Sequence, residues 1–394
     1  MDKNIINRIN NNENSSINSN YRICKRCIMD TTDLYIKFDA NGYCNHCNTF
    51  EKKIKPRIFS KQKRKLYFNK QIDLIKSGSQ GRKYNCIIGL SGGRDSSYAV
   101  YLAKEFGLNA LVIHFDNGWD SELAINNIEN IIKKTGFDYY NYIVDWDEFC
   151  DLQLSYLKAS VVDVEIPTDL GIFSLLPRMA NNFNAKYILF GENLETESIM
   201  GEGWNYKNKL DYINLKAIHK KYGEKELKSF PLLTQLKEIY YYNIMKIKQI
   251  NILNYANCNY KEIEDLLKKE FKWRDYGVKH GESIFTKFYQ SYVLPKKFNI
   301  DKRRAHLSSL ICSLQITRDE ALEIITKPVY NNDELKEEYE YIVKKLKLSS
   351  KKFEEIMSLP IKSHFDFPTM EKSKTYSFLN KLKRLKYLFL FDSK

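Results

Sequence analysis

The stretch from Ile87 to Ser97, reading Ile-Ile-Gly-Leu-Ser-Gly-Gly-Arg-Asp-Ser-Ser, constrains this chain more than any other. Ile87, Ile88 and Leu90 form a short apolar run, the pattern of a strand covered on both faces. Residues 97–106 place Ala99, Val100, Ala103 and Phe106 on one helical face, and Gly107 follows where a left-handed cap belongs. A buried strand, a tight Ser-Gly-Gly turn and a helix start thus succeed one another, which is the entry to an α/β unit.

Such a turn suits an anion. Gly92 and Gly93 carry no Cβ, so the backbone can take positive φ and approach a ligand closely. Successive N–H groups then form a nest at the positive end of the helix dipole. Ser91, Ser96 and Ser97 offer hydroxyl donors, and Asp95 offers a hard oxygen ligand for the Mg²⁺ that accompanies ATP. A lone Gly-Gly pair would be read as turn geometry alone. Ser-Gly-Gly-x-Asp-Ser between a buried strand and a helix favours phosphate binding. The spacing is not that of the Gly-x-x-x-x-Gly-Lys-Ser/Thr loop.

From residue 84 onward strand and helix patterns alternate, with strands expected over 109–115, 139–144 and 186–190 and helices over 121–135, 146–158 and 167–183. In the first of these helices Ile125, Ile128 and Ile132 are in register. The alternation predicts a parallel sheet with helices on both faces, whose ligands sit at the carboxyl ends of the strands. Two further strand ends therefore draw interest. Phe115 and Asp116 follow the second strand, where a ring could hold adenine and a carboxylate could meet ribose or metal. Gly191, Glu192 and Glu197 follow the fourth, where carboxylates could hold Mg²⁺ or shape a substrate pocket. Polar turns and helix caps are the plainer readings of the same residues.

At 394 residues the chain can bury a sizeable core, and 43% apolar content fits a globular protein. No apolar run is long enough to span a bilayer and no secretory signal is visible, so no membrane insertion and a cytoplasmic location are the expectations. The net charge of +14 permits a nucleic acid partner, yet lysine is spread along the whole chain, so the charge is weak evidence for one. Eight cysteines in so long a chain are not a disulfide scaffold. Four of them, Cys24, Cys27, Cys44 and Cys47, form two Cys-x-x-Cys pairs with the spacing of a closed, structural Cys₄ zinc knuckle, His46 being a bystander.

The expected organisation is a disordered tail over 1–20, the knuckle over 21–50 and a basic linker or helix over 51–82. A nucleotide-binding α/β domain follows over 83–200, a substrate-binding region over 201–330 and a helical region over 331–394. Within the substrate region, residues 235–248 read as a helix with Leu236, Ile239 and Tyr240 inward. Thr317-Arg318-Asp319-Glu320 has capping-box spacing. Residues 272–309 are dense in basic and aromatic side chains, with Lys279, His280 and Glu282 adjoining and two histidines, His280 and His306, in the stretch.

The Ser91–Ser97 turn resembles the PP-loop of the ATP pyrophosphatases, which have an adenine nucleotide alpha hydrolase-like fold. The knuckle, the turn and the block from Lys279 to Ala321 together resemble the N-acetyl sugar amidotransferases of the WbpG/PseA type. Glu282, Phe285-Thr286-Lys287 and Asp301-Lys302-Arg303 narrow the likeness. Arg94 stands where lysine is usual, and Ser313-Leu314-Gln315 where Ser-Gly-Gln is expected.

The resemblance implies that ATP, Mg²⁺ and structural Zn²⁺ are used to turn an acetamido group of a bacterial surface-glycan sugar into an acetamidino group. The route is an O-adenylated imidate, releasing AMP and pyrophosphate. It implies binding roles for Ser91, Gly92, Gly93, Asp95, Ser96, Ser97, Phe115, Asp116, Gly191, Glu192 and Glu197, and catalytic roles for Asp95, Lys279, His280 and Glu282. It also implies an N-acetylated sugar substrate and ammonia from a partner glutaminase, with a cyclase-like channel subunit, because Cys24 lies inside the knuckle and no Gly-x-Cys-x-Gly elbow is present. The competing reading is a tRNA-modifying PP-loop enzyme. Thiolation would call for reactive cysteines in the α/β domain, where those outside the knuckle are isolated.

Overall fold

The computed structural model describes residues 21–257, 259–373 and 376. The tail expected over 1–20, Cys258 and most of the chain after 373 lie outside the described residues. Strands β1 (Cys86–Gly89), β2 (Ala110–Asp116), β3 (Asp138–Ile143), β4 (Tyr187–Phe190) and β5 (Lys248–Asn251) form one parallel sheet in the order β3-β2-β1-β4-β5.

The pleat sends alternate residues of β1 to opposite cores. Ile88, with Val112 and Leu189 beside it, packs against α1 (Lys61–Gly78), α2 (Arg94–Glu105), α3 (Glu122–Thr135) and, later in the chain, residues of Tyr260–Phe271. Ile87, with Leu111 and Ile188, packs against Leu175, Leu176 and Met179. The expected sheet with helices on both faces is therefore the one that forms.

A third and larger core joins the knuckle cysteines to α4 (Trp146–Ala159), the start of α5 (Ile166–Asn182) and α6 (Tyr212–Tyr222). It also takes in Phe285, Phe288 and Tyr292 and the C-terminal helices α8 (Arg303–Cys312), α9 (Arg318–Thr326), α10 (Asn332–Lys345) and α11 (Ser350–Met357), which follow α7 (Tyr260–Phe271). The capping box at Thr317 and Glu320 is present, and so are the Ser121 cap and the left-handed Gly136 at the two ends of α3. Among the described residues, no helix is long and apolar enough to cross a membrane.

Two local expectations change, for 235–248 and for the buried face of α3, and two features come from the structure alone, the edge position of β3 and the backbone of Leu314. The sheet takes a fifth strand from within the stretch read as a single helix over 235–248 and just past it. Helical turns occupy Gln235–Ile239 and Tyr240–Ile244, and β5 begins at Lys248. Leu236 and Tyr240 face outward, at 71% and 41% exposure, while Gln235 and Tyr241 turn in. In α3 the buried face is Ala124, Ile128 and Ile131; Ile125 is exposed. β3 is an edge strand, with Tyr139, Tyr140 and Ile143 exposed. Leu314, in place of the expected glycine, holds φ +61 on the surface, because the turn after α8 needs a left-handed residue there.

Candidate active site

The strand order reverses between β1 and β4, and at such a switch point the carboxyl ends open a crevice. The Ser91–Ser97 turn leaves β1 there, and Gly191–Glu197 leaves β4 beside it. The two are in contact: a Cβ on Gly191 would stand 2.7 Å from the carbonyl carbon of Asp95. Gly92 takes φ +80, and its carbonyl accepts from Trp273 Nε1 at 2.8 Å and Tyr276 Oη at 2.9 Å, so the turn is braced from behind.

Gly93 is the N-cap of α2 and supplies no side-chain cap, whereas Ser121, Asp145, Asp211, Asn259 and Thr317 cap the helices that follow them. The first-turn N–H groups of Arg94, Asp95 and Ser96 thus have no intrahelical acceptor and no capping side chain. The Ser91 and Ser96 hydroxyls lie 3.1 Å apart at the mouth of this nest. Ser97 is fully buried, and its hydroxyl donates to the Gly93 carbonyl at 2.7 Å, a contact that shapes the turn.

Charged groups from four segments converge on the turn. Arg94 Nε donates to Asp95 Oδ1 at 3.1 Å, and Arg94 Nη1 to Glu264 at 3.2 Å. Burial raises the Asp95 pKa, but Arg94, Lys279 and His280 outweigh it and hold the carboxyl below its ordinary value. Lys279 Nζ donates to Glu197 Oε1 at 2.5 Å. His280, with φ +63, places Nδ1 3.6 Å from Glu282 Oε1. Burial pushes Glu282 up too, and His280 and Lys279 more than reverse it. The Glu282 carboxylate lies against Gly93, 3.0 Å from where a Cβ would be. Glu192 behaves oppositely: burial, then Glu197 and Asp169, push its carboxyl up.

The sequence did not single out a role for His306. Its Nδ1 lies 3.0 Å from the Thr196 carbonyl, and burial, then Lys279 and Arg94, hold the ring well below its ordinary pKa. A neutral ring donating from Nδ1 leaves Nε2 as an acceptor. Nothing in the spacing shows which of two histidines in a basic stretch turns inward.

Phe115 and Asp116 end β2, the strand paired with β1. Phe115 stacks on Tyr142 and presses on Gly171, and Asp116 Oδ1 accepts from Gly118 N at 2.9 Å, closing its own turn. Arg303 pairs with Asp301 and donates to the Ile325 and Lys327 carbonyls, a structural tie.

The four knuckle thiols lie within 4.8 Å of one another and are buried, with Cys24–Cys47 and Cys27–Cys44 sulfurs 3.8 and 3.6 Å apart. Sulfurs bound tetrahedrally to zinc stand about 3.8 Å apart, so the set fits that ion. Backbone N–H groups of Arg26, Met29 and Cys44 point at the sulfurs, as suits thiolates. His46 pairs with buried Asp33 at 2.6 Å instead. Arg318 donates to the Cys24 and Cys27 carbonyls, and Arg304 pairs with Asp30, so the knuckle is bolted to α8 and α9. Cys312 comes within 3.8 Å of Cys47, a neighbour its isolation in the sequence did not suggest.

Sheet order, turn and knuckle define the class: a parallel α/β fold of PP-loop type with an N-terminal Cys₄ cluster and C-terminal helices. The resemblance to the WbpG group is borne out in the C-terminal part, where residues 282–383 match the family described as LPS biosynthesis protein WbpG-like, C-terminal domain. An uncharacterized protein of Methanocaldococcus jannaschii is 35% identical over 112 residues, 28% of this chain and 38% of that protein. A tRNA(Ile)-lysidine synthase of Chlamydia pneumoniae is 32% identical over 88 residues, 22% of this chain and 27% of that protein. The chain thus spans well under half the length of these curated relatives. Among solved structures, an NMN synthetase from Francisella tularensis is 15% identical with TM-score 0.29, covering 61% of this chain and 97% of that one. An NH3-dependent NAD synthetase from Campylobacter jejuni is 16% identical with TM-score 0.29, covering 54% and 94%.

Proposed function

We propose that this chain is an ATP-dependent, AMP-forming amidotransferase that converts an acetamido group on a sugar into an acetamidino group. The observation that carries the reading is the meeting of the uncapped glycine turn with Lys279, His280 and Glu282, at the start of the WbpG-like region. An amide oxygen is a poor leaving group. Its attack on the α-phosphorus of ATP forms a P–O bond and releases pyrophosphate. Ammonia then adds to the imidate carbon, a proton is lost, and AMP departs with the former amide oxygen.

Such chemistry asks the protein for positioning and charge neutralisation more than for a nucleophile. The N–H groups of Arg94, Asp95 and Ser96 and the Arg94 guanidinium would hold the pyrophosphate end, and Asp95 would hold the Mg²⁺ that neutralises it. Ammonia from a separate glutaminase remains part of the proposal, as do a bacterial surface glycan as destination and the division into domains at residues 83–200 and 201–330.

The test is mass spectrometry of N-acetylated sugars incubated with the protein, ATP, Mg²⁺ and ammonium. The reading expects the mass loss of O replaced by NH, with AMP as co-product; ADP instead of AMP would refute it. A second reading, tRNA modification, draws on the partial match to tRNA(Ile)-lysidine synthase and the net charge of +14. Thiolation is disfavoured because Cys86 is buried in β1 and burial drives its thiol pKa upward. Tight, salt-sensitive tRNA binding would support that reading over ours.

A further inference from the structure

Two pieces of the 282–304 block meet at a residue no sequence pattern marked. Thr286 Oγ1 donates to Glu165 Oε2 at 2.9 Å, at the start of α5. Lys302 lies within electrostatic reach of Glu165, Asp163, Asp169 and Lys209. Asp163 is fully buried; its Oδ2 accepts from Tyr206 N at 3.1 Å and sits 3.9 Å from Lys209 Nζ, which also pairs with Asp169. Glu165 is 8% exposed.

This cluster is incomplete. Among the described residues, Asp163 Oδ1 and Glu165 Oε1 are buried without a hydrogen-bond partner. The Lys302 ammonium has the Tyr289 ring at 5.6 Å and no hydrogen-bonded acceptor among the described residues. Orphaned buried acceptors cost about 1–3 kcal/mol each, so each calls for a bound water, ion or ligand, or for a functional role. Burial, then Asp169, push the Glu165 carboxyl up to about 7, as expected for an unrelieved carboxylate. Lys209 and Asp169 form a partly exposed rim, and Glu192 feels the charges of both Asp169 in this cluster and Glu197 beside the glycine turn.

The missing partner must donate and accept at once. Ammonium only donates, and Lys209 and Lys302 would repel it. A phosphate group would set further negative charge against both carboxylates. Neighbouring hydroxyls do both, and a neutral ligand leaves the charge pairing intact. We propose that Asp163, Glu165 and Lys302, with Thr286 orienting Glu165, form the subsite that binds the hydroxyl face of the sugar. This deepens the amidotransferase reading and rests on it for the sugar's identity as substrate.

The experiment measures binding of N-acetylglucosamine, N-acetylneuraminic acid and UDP-N-acetylglucosamine by saturation-transfer NMR, with α,β-methylene-ATP as the nucleotide control. Wild type should bind at least one of these sugars. Glu165→Gln and Lys302→Met should each weaken it at least about tenfold, the loss of a charge-assisted hydrogen bond, with nucleotide affinity unchanged. Thr286→Val, which leaves both charges in place, should weaken it less. Variants that bind sugar as wild type does, or a wild type that binds none of the three, would overturn the subsite. Sugar binding lost in the variants, in a protein that forms no AMP, would refute the reaction and leave the subsite standing.

Discussion

His364 shows how a single buried ring can set acid sensitivity. It stacks on Tyr206 at 4.3 Å, its Nε2 has no partner among the described residues, and burial lowers its pKa to about 4. The unfolded chain therefore binds more protons than the folded one between pH 4 and about 6.5, so stability falls as pH drops through that window. The loss amounts to about 3 kcal/mol from this ring. His364→Phe keeps the stack and cannot titrate, so its unfolding free energy should lose less between pH 6.5 and 4 in urea melts. Equal slopes in the two proteins would contradict this. Asp95 tests the site at the same scale. Asp95→Asn should abolish AMP formation while the circular dichroism melt stays near wild type, and full turnover in that variant would remove Asp95 from its proposed metal role.

At the scale of elements, β1, its glycine turn and α2 were legible because each obeys a local rule: an apolar run, two glycines, a 3.6-residue stripe. β5 was not, because only Ile250 of its four residues is buried, and an edge strand carries no continuous apolar run. Leu236 and Tyr240 misled for a related reason: apolar character shows what can be buried, while the packing of Gln235 and Tyr241 decides which face is. The candidate site divides in the same way. Residues of the turn were readable in order, whereas Glu165 meets Thr286 and Lys302, and His306 meets Thr196, through tertiary packing that no spacing encodes. The contact of Gly191 with Asp95 yields the element-level prediction. A methyl there must displace backbone, at a cost on the order of 1–3 kcal/mol, and it would push the β4 loop off the turn. Gly191→Ala should weaken ATP binding at least about tenfold; unchanged affinity by calorimetry would show that the two loops do not act together.

At the scale of the whole molecule, the knuckle is no appendage. Its cysteines share one core with α4, α8 and α10, and Arg318 and Arg304 tie it to the WbpG-like region. Metal analysis should find a single zinc per chain, and Cys44→Ser should lose it and lower Tm on the order of 10 °C. A zinc-free wild type of unchanged Tm would contradict that. The central claim is narrower than any of these: an amide oxygen of the substrate attacks the α-phosphorus. A sugar carrying oxygen-18 in its acetamido carbonyl, turned over with ATP and ammonium, measures this directly. The account predicts that the label leaves in AMP; label that stays on the sugar product or appears in inorganic phosphate would contradict it.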